Sequence, residues 1–423
     1  MRLLVAGGGT GGHLYPGIAL AEEVMSRPNG VVLFVGTPRG LETKLVPAAG
    51  FDLELLDVSG LNRVGLGKVV KGLGRLPKAF FASRAILKRF RPDLVIGVGG
   101  YASGPLVLAA ALLGYPTAIQ EQNSQPGFTN RVLGAFARRV FVAFEDAKKF
   151  FPARKTRLFG NPVRRKFVTA VRDVDRSVAD VARAVLVLGG SQGAKAVNDL
   201  VVGAAAVLAK QNRLPPIVHQ TGATDEARVR EKYAAARLAV EVRPFIDDMP
   251  TALAGAALVV GRAGALTLAE LAMMARPAIL IPLPTAAADH QTRNAAEFQR
   301  AGAAEVVEQR SATAELLASR ISELMAAPEK RAEMSRHMAA LGRPDATREI
   351  VDELESLIAS RGRGSPSPGV SSSGGLTGAS ALIAGEAGGG SKATGVRVTR
   401  GGSSASPSGL IAGGFGNPLR VPI

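Results

Sequence analysis

Along most of the chain, short apolar runs rich in β-branched residues alternate with stretches of helical period. Residues 2–6, 31–35, 94–98, 117–120 and 140–142 predict strands, and a second series follows at 184–188, 217–219, 239–242, 257–260, 278–281 and 304–307. Helical patterns lie between them, among others at 17–25, 194–209, 266–274 and 291–300, with a last one at 348–360. This alternation predicts parallel sheets with helices on both faces. The series also restarts. Gly160 and Pro162 mark residues 159–165 as a joint, a polar stretch runs to Arg183, and a fresh strand then opens. The fold expected is α/β: two doubly wound, Rossmann-like domains, 1–163 and 164–345, then a helix over 346–360. Ligands of such sheets sit beyond the carboxyl ends of the strands, so two domains face to face enclose a cleft. From Arg361 the composition turns to Gly, Ser, Pro and Ala, which predicts a disordered tail over 361–423.

Composition narrows the reading. A chain of 423 residues, 47% apolar and 21% charged, suits a globular protein of two or three domains. It has no cysteine, which excludes disulfides, thiolate metal sites and cysteine nucleophiles. No secretory signal is expected, because only Leu3, Leu4, Val5 and Ala6 separate Arg2 from the first glycines. The uncharged run 94–120 has the length of a membrane span. Gly97, Gly99, Gly100, Gly104, Pro105, Gly114 and Pro116 divide it instead into strand, loop, helix and strand. The formal net charge of +17 points to acidic partners: phosphates, nucleic acid or an anionic membrane surface.

Four glycine-rich loops follow predicted strands. The first is Gly7-Gly8-Gly9-Thr10-Gly11-Gly12-His13, whose N–H groups and helix start favour an anion. Its spacing matches the dinucleotide pattern G-x-G-x-x-G, but the second strand runs into Gly36-Thr37-Pro38 and lacks the acid that would hold a ribose; Glu42 comes too late. The other loops are Gly97 to Tyr101, Gly189 to Ala194 and Gly261 to Ala265. Any one of them reads as a tight turn; four at strand ends, spread over both domains, read as a ligand cleft.

Of the four histidines, His219 and His337 read as structural, and no metal-ligand spacing or Asp-x-Asp is present. His13 sits at a helix start, where the dipole keeps an imidazole neutral and able to take a proton from a hydroxyl. Arg164 can meet phosphate through its planar fork, and Glu270 can accept from a ribose diol.

Taken together, these motifs resemble the MurG family of peptidoglycan N-acetylglucosaminyltransferases over roughly residues 1–360. The resemblance rests on Gly8 to His13 with Pro16-Gly17, Gly99-Gly100-Tyr101 with Ser103-Gly104-Pro105, and Glu121-Gln122-Asn123. It extends to Gly160 to Arg164, Gly189 to Ala194, Phe245 to Met249 and Gly264 to Thr267. It implies a GT-B fold and inverting transfer of N-acetylglucosamine from UDP-N-acetylglucosamine to the 4-hydroxyl of the N-acetylmuramoyl unit of lipid I, giving lipid II. No metal or other cofactor is implied. Carried onto matching positions, Ser191 and Arg164 would meet the diphosphate and the Ile246 backbone would read uracil. Ala265, Leu266, Thr267, Leu268, Ala269 and Glu270 would hold phosphate and ribose. Gln291, Asn123 and the loop Thr10, Gly11 and Gly12 would meet the sugar. Three departures stand out: Ala263 where the family often has Ser, a longer loop over 284–288, and Thr292 where some members have Gln.

Inversion demands a base on the face of the ring opposite the leaving group. His13 is the first choice and Glu121 the second. A lipid-linked acceptor requires a place at the cytoplasmic face of the cell membrane. Between Asp57 and Asp93 lie nine Lys or Arg and no acid, with Leu73, Leu76, Phe80, Leu87 and Phe90 at helix-like spacing, the pattern of an interfacial element. The rival readings are a related transferase with another lipid acceptor, a UDP-sugar epimerase, and a basic nucleic-acid binder. The last leaves the glycine loops unexplained.

Overall fold

The computed structural model describes residues 1–57, 76–173, 184–190, 193–286, 289–362 and 397–398. Strands β1 (Arg2–Gly7), β2 (Val31–Gly36), β3 (Asp52–Leu55), β4 (Leu94–Gly99), β5 (Thr117–Glu121), β6 (Arg139–Val142) and β7 (Thr156–Leu158) form a parallel sheet in the order β3-β2-β1-β4-β5-β6-β7. Strands β8 (Ala184–Leu188), β9 (Ile217–Gln220), β10 (Glu241–Arg243), β11 (Ala256–Gly261), β12 (Ala278–Leu280) and β13 (Ala304–Val306) form a second, in the order β10-β9-β8-β11-β12-β13. Each sheet reverses its winding once, between β1 and β4 and between β8 and β11. These reversals are the two topological switch points at which an open sheet binds ligands.

The inner strands are apolar because helices cover both faces; β4 and β11 are buried at every position. The expected doubly wound pair of domains is present, with differences in detail. β3 has Asp52 and Glu54 in alternation with Leu53 and Leu55, so its sequence reads as polar. In the fold Glu54 is buried and paired with Arg89. β7 is only three residues long and carries no pattern. The strand expected at 239–242 lies at Glu241–Arg243. Most of the tail expected to be disordered lies outside the described residues. Arg397–Val398 (β14) departs from that expectation, pairing antiparallel with Leu53 and Glu54 of β3.

The chain crosses between the domains twice. After the first crossing, at residues 159–164, Val163 and Phe167 join the core of the second domain. After the second, the helix Ala346–Gly362 returns to the first domain. There Ile350, Val351, Leu354 and Leu357 are buried with Leu14, Leu20 and Phe34. Arg27 binds Asp352 and Glu355 of this helix, and Arg139 binds its Glu353.

The expected interfacial stripe is corrected. Leu73 lies outside the described residues. In the helix Leu76–Phe90, Leu87 is fully buried, while Phe80 and Phe90 pack on the first core. The helix turns out Phe81, 65% exposed, with Lys78 and Lys88. Apolar surface lies instead on neighbouring helices, at Leu112 of Ser103–Leu112 and at Phe128, Val132 and Phe136 of Phe128–Phe136.

Because the last helix completes the first core, Leu354→Ala is expected to destabilise the protein by about 2–5 kcal/mol, the range for a buried leucine truncated to alanine. Denaturant unfolding followed by circular dichroism measures it; a change under about 1 kcal/mol is what a loosely docked helix would give.

Candidate active site

The carboxyl ends of the two sheets face each other across a cleft of about 890 Å³. The first wall carries Gly8 to His13, Tyr15, Gly100, Tyr101, Gln122 and Asn123. The second carries the turn after β8, Ile246, Arg262, Gly264 to Thr267, Glu270, His290 and Gln291. Arg164 lines the cleft where the chain passes between the domains.

The first wall is built from backbone. Gly8 N–H donates to Gly99 O at 3.2 Å. Gly99 and Gly100 both have positive φ, and a Cβ on Gly100 would stand 2.3 Å from the Gly8 carbonyl oxygen. The helix Gly11–Ser26 starts directly after this contact, with Thr10 at its N-cap. Pro16 lies within that helix and has no N–H, so the Gly12 carbonyl lacks its usual donor four residues on. His13, in the first turn, rests its ring on Gly99, whose Cβ would be 2.7 Å from His13 Cδ2. Its Nδ1 lies 3.3 Å from Thr10 Oγ1. Burial holds the imidazole below its ordinary value of 6.5, a hydrogen bond with the Gly8 backbone works the other way, and His290 across the cleft depresses it further. The ring is therefore neutral near pH 7. The neutrality expected from the helix dipole is present, with burial as its main cause.

Glu121 does not line the cleft. It is 2% exposed, and its carboxylate accepts from Asn123 N, Asn123 Nδ2, Gly127 N and Asn130 Nδ2 at 2.9–3.3 Å. All four donors are amides. Burial raises its pKa, and these bonds oppose that shift. Its position orders the loop that presents Asn123; it does not put a base beside a reacting hydroxyl.

The second wall depends on polar contacts between the domains. Asn294, fully buried, accepts at Oδ1 from Ser124 N and Oγ, both at 2.9 Å, and donates to Asn123 Oδ1 at 3.3 Å. Asn161 donates to Gln122 O and to Ala265 O. Ala265 and the N-terminus of the helix Ala265–Met273 are thereby fixed relative to the first domain. Arg164 and Glu270, expected to bind different parts of one ligand, meet at 2.9 Å. The guanidinium also lies over Tyr15, 4.4 Å from the ring centroid. Burial raises Glu270, and Arg164 opposes the shift. Gln291 Oε1 accepts from Leu283 N at 3.0 Å, which leaves donor capacity on its nitrogen.

Thus Thr10, Gly11, Gly12, His13, Asn123, Arg164, Ile246, Ala265, Leu266, Thr267, Glu270 and Gln291 come together in the cleft. Ile246 has its side chain in the core, so its backbone is the part available. Leu268 and Ala269 are corrected: Leu268 is fully buried in the second core, and Ala269, absent from the cleft lining, packs on that core. Ser191 lies outside the described residues. The departures from the family pattern fall away from the cleft surface where they are described. Ala263 is buried in the core, and Thr292 donates its hydroxyl to Asp289. Sequence reasoning missed Asn294, Tyr15 and the buried Glu42, which accepts from Gly9 N. None has a neighbour in sequence that hints at its role.

Comparison with known proteins agrees with this geometry. Residues 3–142 match the glycosyltransferase family 28 N-terminal domain, and residues 184–350 match the family 28 C-terminal domain. A UDP-N-acetylglucosamine--N-acetylmuramyl-(pentapeptide) pyrophosphoryl-undecaprenol N-acetylglucosamine transferase of Anaeromyxobacter sp. (strain Fw109-5) is 50% identical over 85% of this chain and 94% of its own. The protein of the same name from Myxococcus xanthus (strain DK1622) is 50% identical over 85% and 93%. The crystal structure of Acinetobacter baumannii MurG superposes with a TM-score of 0.68 at 33% identity, over 84% of this chain and 99% of that one. A UDP-GlcNAc 2-epimerase from Neisseria meningitidis, bound to UDP-GlcNAc, shares the fold at 14% identity, with a TM-score of 0.60, over 84% of this chain and 100% of that one. The chain belongs to the MurG family of family 28 glycosyltransferases.

Proposed function

We propose that this enzyme transfers N-acetylglucosamine from UDP-N-acetylglucosamine to the 4-hydroxyl of the N-acetylmuramoyl unit of lipid I, with inversion, to give lipid II. The observation that carries the reading is the pairing, in one cleft, of His13 on one wall with an anion-binding helix start, Arg164 and Glu270 on the other. The 50% identity with transferases of that name supports the choice of substrates.

The donor lies against the second domain. Its diphosphate faces the N–H groups that begin the helix Ala265–Met273 and the guanidinium of Arg164. Glu270 takes the ribose hydroxyls, Ile246 backbone the uracil, and Gln291 and Asn123 the sugar. The acceptor enters over Gly99 to Tyr101. Its 4-hydroxyl oxygen bonds to the anomeric carbon as the carbon–oxygen bond to UDP breaks on the opposite face. The hydroxyl proton passes to His13, and the electron pair leaves with UDP. Thr10 Oγ1 marks the side of the imidazole from which that hydroxyl comes.

The working position is peripheral, at the cytoplasmic face of the membrane. Among the described residues no helix is long and apolar enough to cross one. Phe81, Phe128, Val132 and Phe136 give the first domain an exposed apolar face beside Lys78, Lys88 and Arg131, a combination that favours an anionic lipid surface.

Turnover is read as UDP released from UDP-N-acetylglucosamine with a soluble lipid I analogue. Release without acceptor would favour the epimerase-like alternative. His13→Ala is expected to lower kcat at least about a hundredfold with donor binding unchanged; wild-type turnover in that variant excludes His13 as the base. The acid limb of kcat/KM should lie below the ordinary histidine value of 6.5, because burial favours the neutral ring. Glu270→Gln should raise KM for the donor roughly tenfold or more through loss of a charged hydrogen bond, and an unchanged KM would remove Glu270 from the donor site. In flotation assays the protein should rise with vesicles containing phosphatidylglycerol and stay down with neutral ones. Phe81→Ser with Phe128→Ser should weaken that binding; equal flotation of the variant places the contact elsewhere.

A further inference from the structure

Glu42 is fully buried, and its carboxylate is occupied on both oxygens. Oε2 accepts from Gly9 N at 2.8 Å, while Oε1 accepts from Thr37 N and Thr37 Oγ1, both at 2.7 Å. These donors are neutral, so the carboxylate charge is solvated by hydrogen bonds without a cation among them. Space for it is made by three glycines, Gly36 and Gly40 close by in sequence and Gly8 from the first glycine loop. A Cβ on Gly8, Gly36 or Gly40 would come within 2.3, 2.4 or 1.9 Å of Glu42 side-chain atoms. Burying an ionised carboxylate is costly unless its hydrogen bonds are complete. Neither the sheet nor the core requires a carboxylate here, since its partners belong to two loops.

What it holds is the first glycine loop. The segment Gly8-Gly9 is fixed on one side by Glu42 and on the other by the hydrogen bond from Gly8 N to Gly99 O. Gly99, which takes that Gly8 N–H, is also the residue on which the imidazole of His13 lies. Glu42 thus stands one backbone segment behind the ring, on the side away from the cleft. A base that takes a proton becomes an imidazolium at the moment of reaction. A fixed, buried negative charge behind it stabilises that state more strongly than one in water. The imidazole of His290 on the opposite wall acts on the ring in the reverse sense.

We propose that Glu42 is a positioning residue for His13: it locks the Gly8–Gly9 segment that orients the imidazole, and it supplies the buried charge that supports the ring when it is protonated. The proposal rests on the reading of His13 as the base.

The test uses the full-length enzyme with UDP-N-acetylglucosamine and the soluble lipid I analogue, across the pH range, with melting curves for each variant. Glu42→Gln keeps the shape and removes the charge. It should lower kcat by roughly tenfold to a hundredfold, within the range for impaired general-base catalysis, with donor KM within about twofold. Its acid limb should move to lower pH, because the ring loses a neighbour that favours its charged form. Added to His13→Ala, it should cost nothing further. Wild-type kcat in Glu42→Gln, or a loss of kcat with an unmoved acid limb, overturns the proposal. If Glu42→Gln does not fold, Thr37→Val decides. It removes one donor to the carboxylate and should lower kcat roughly twofold to fivefold at unchanged donor KM; wild-type kcat there overturns the proposal as well. An inactive His13→Ala beside a fully active Glu42→Gln removes Glu42 alone. A fully active His13→Ala removes the base, and with it the route by which Glu42 acts.

Discussion

The cleft depends on one backbone contact. Where the first sheet reverses its winding, the turns after β1 and β4 touch without a side chain between them, Gly8 against Gly99 and Gly100. Any side chain at Gly100 would push the two turns apart. Because they meet, the helix Gly11–Ser26 begins at the mouth of the switch point, and the third residue of that helix is His13. Its imidazole then has a flat floor of glycine and an opening toward Thr10. Glycine raises the entropy lost on folding; here that cost falls where close approach of two main chains creates a surface no substituted residue could form.

The second wall is held to the first largely by neutral amides, and the ion pair of Arg164 with Glu270 stands in the cleft. Asn294, Asn161, Gln120 and Gln122 bridge strand ends and domains through short, directional hydrogen bonds. Such bonds fix geometry without long-range fields. Arg164 and Glu270 carry the charge. A guanidinium has five donors, and Glu270 engages Nη2 alone. The cation can therefore keep its carboxylate partner while its remaining edge meets a diphosphate. The planar fork lies over Tyr15 of the first domain and over Phe167, which holds it against the joint. The same pairing explains why burial raises Glu270 and Arg164 pulls it back.

Local rules were readable in the sequence, and long-range ones were not. The glycine loops are visible because a tight turn or a close approach constrains the residues on the spot, as at Gly99-Gly100. Strands buried on both faces are visible because every position is apolar, as in β4 and β11. β3 is hidden because Glu54 is buried against an arginine 35 positions away, so its pattern looks like a surface. Glu42 is hidden for the same reason: its carboxylate gains meaning only when Gly8, Gly36 and Gly40 close around it. The helix Leu76–Phe90 shows the limit of periodicity, which finds an apolar face without telling whether it meets the core or a membrane. Leu87 meets the core, and the outward residue is Phe81. A contiguous motif brings Leu268 and Ala269 in with its neighbours, yet only one side of a helix can face a cleft.

Glu121 shows how a misread residue can join two functions. Its carboxylate holds Asn123, which faces the cleft, and it also takes the N–H of Gly127 and the amide of Asn130. Gly127 is the residue before the helix Phe128–Phe136, and Asn130 lies in its first turn. That helix is apolar on two sides. Leu133 points to the core, while Phe128, at 82% exposure, Val132 and Phe136 recur every fourth residue on the outside. In a polar solvent the outer side leaves three large side chains unburied. This outer stripe begins at the end of the helix nearest the cleft loop. One buried carboxylate couples the angle of this stripe to the position of Asn123. In the proposed reaction a substrate with its lipid in the membrane and its sugar at His13 would have to meet both at once. The amide hub at Glu121, which joins Asn123 to the start of this helix, would then set the distance between the two.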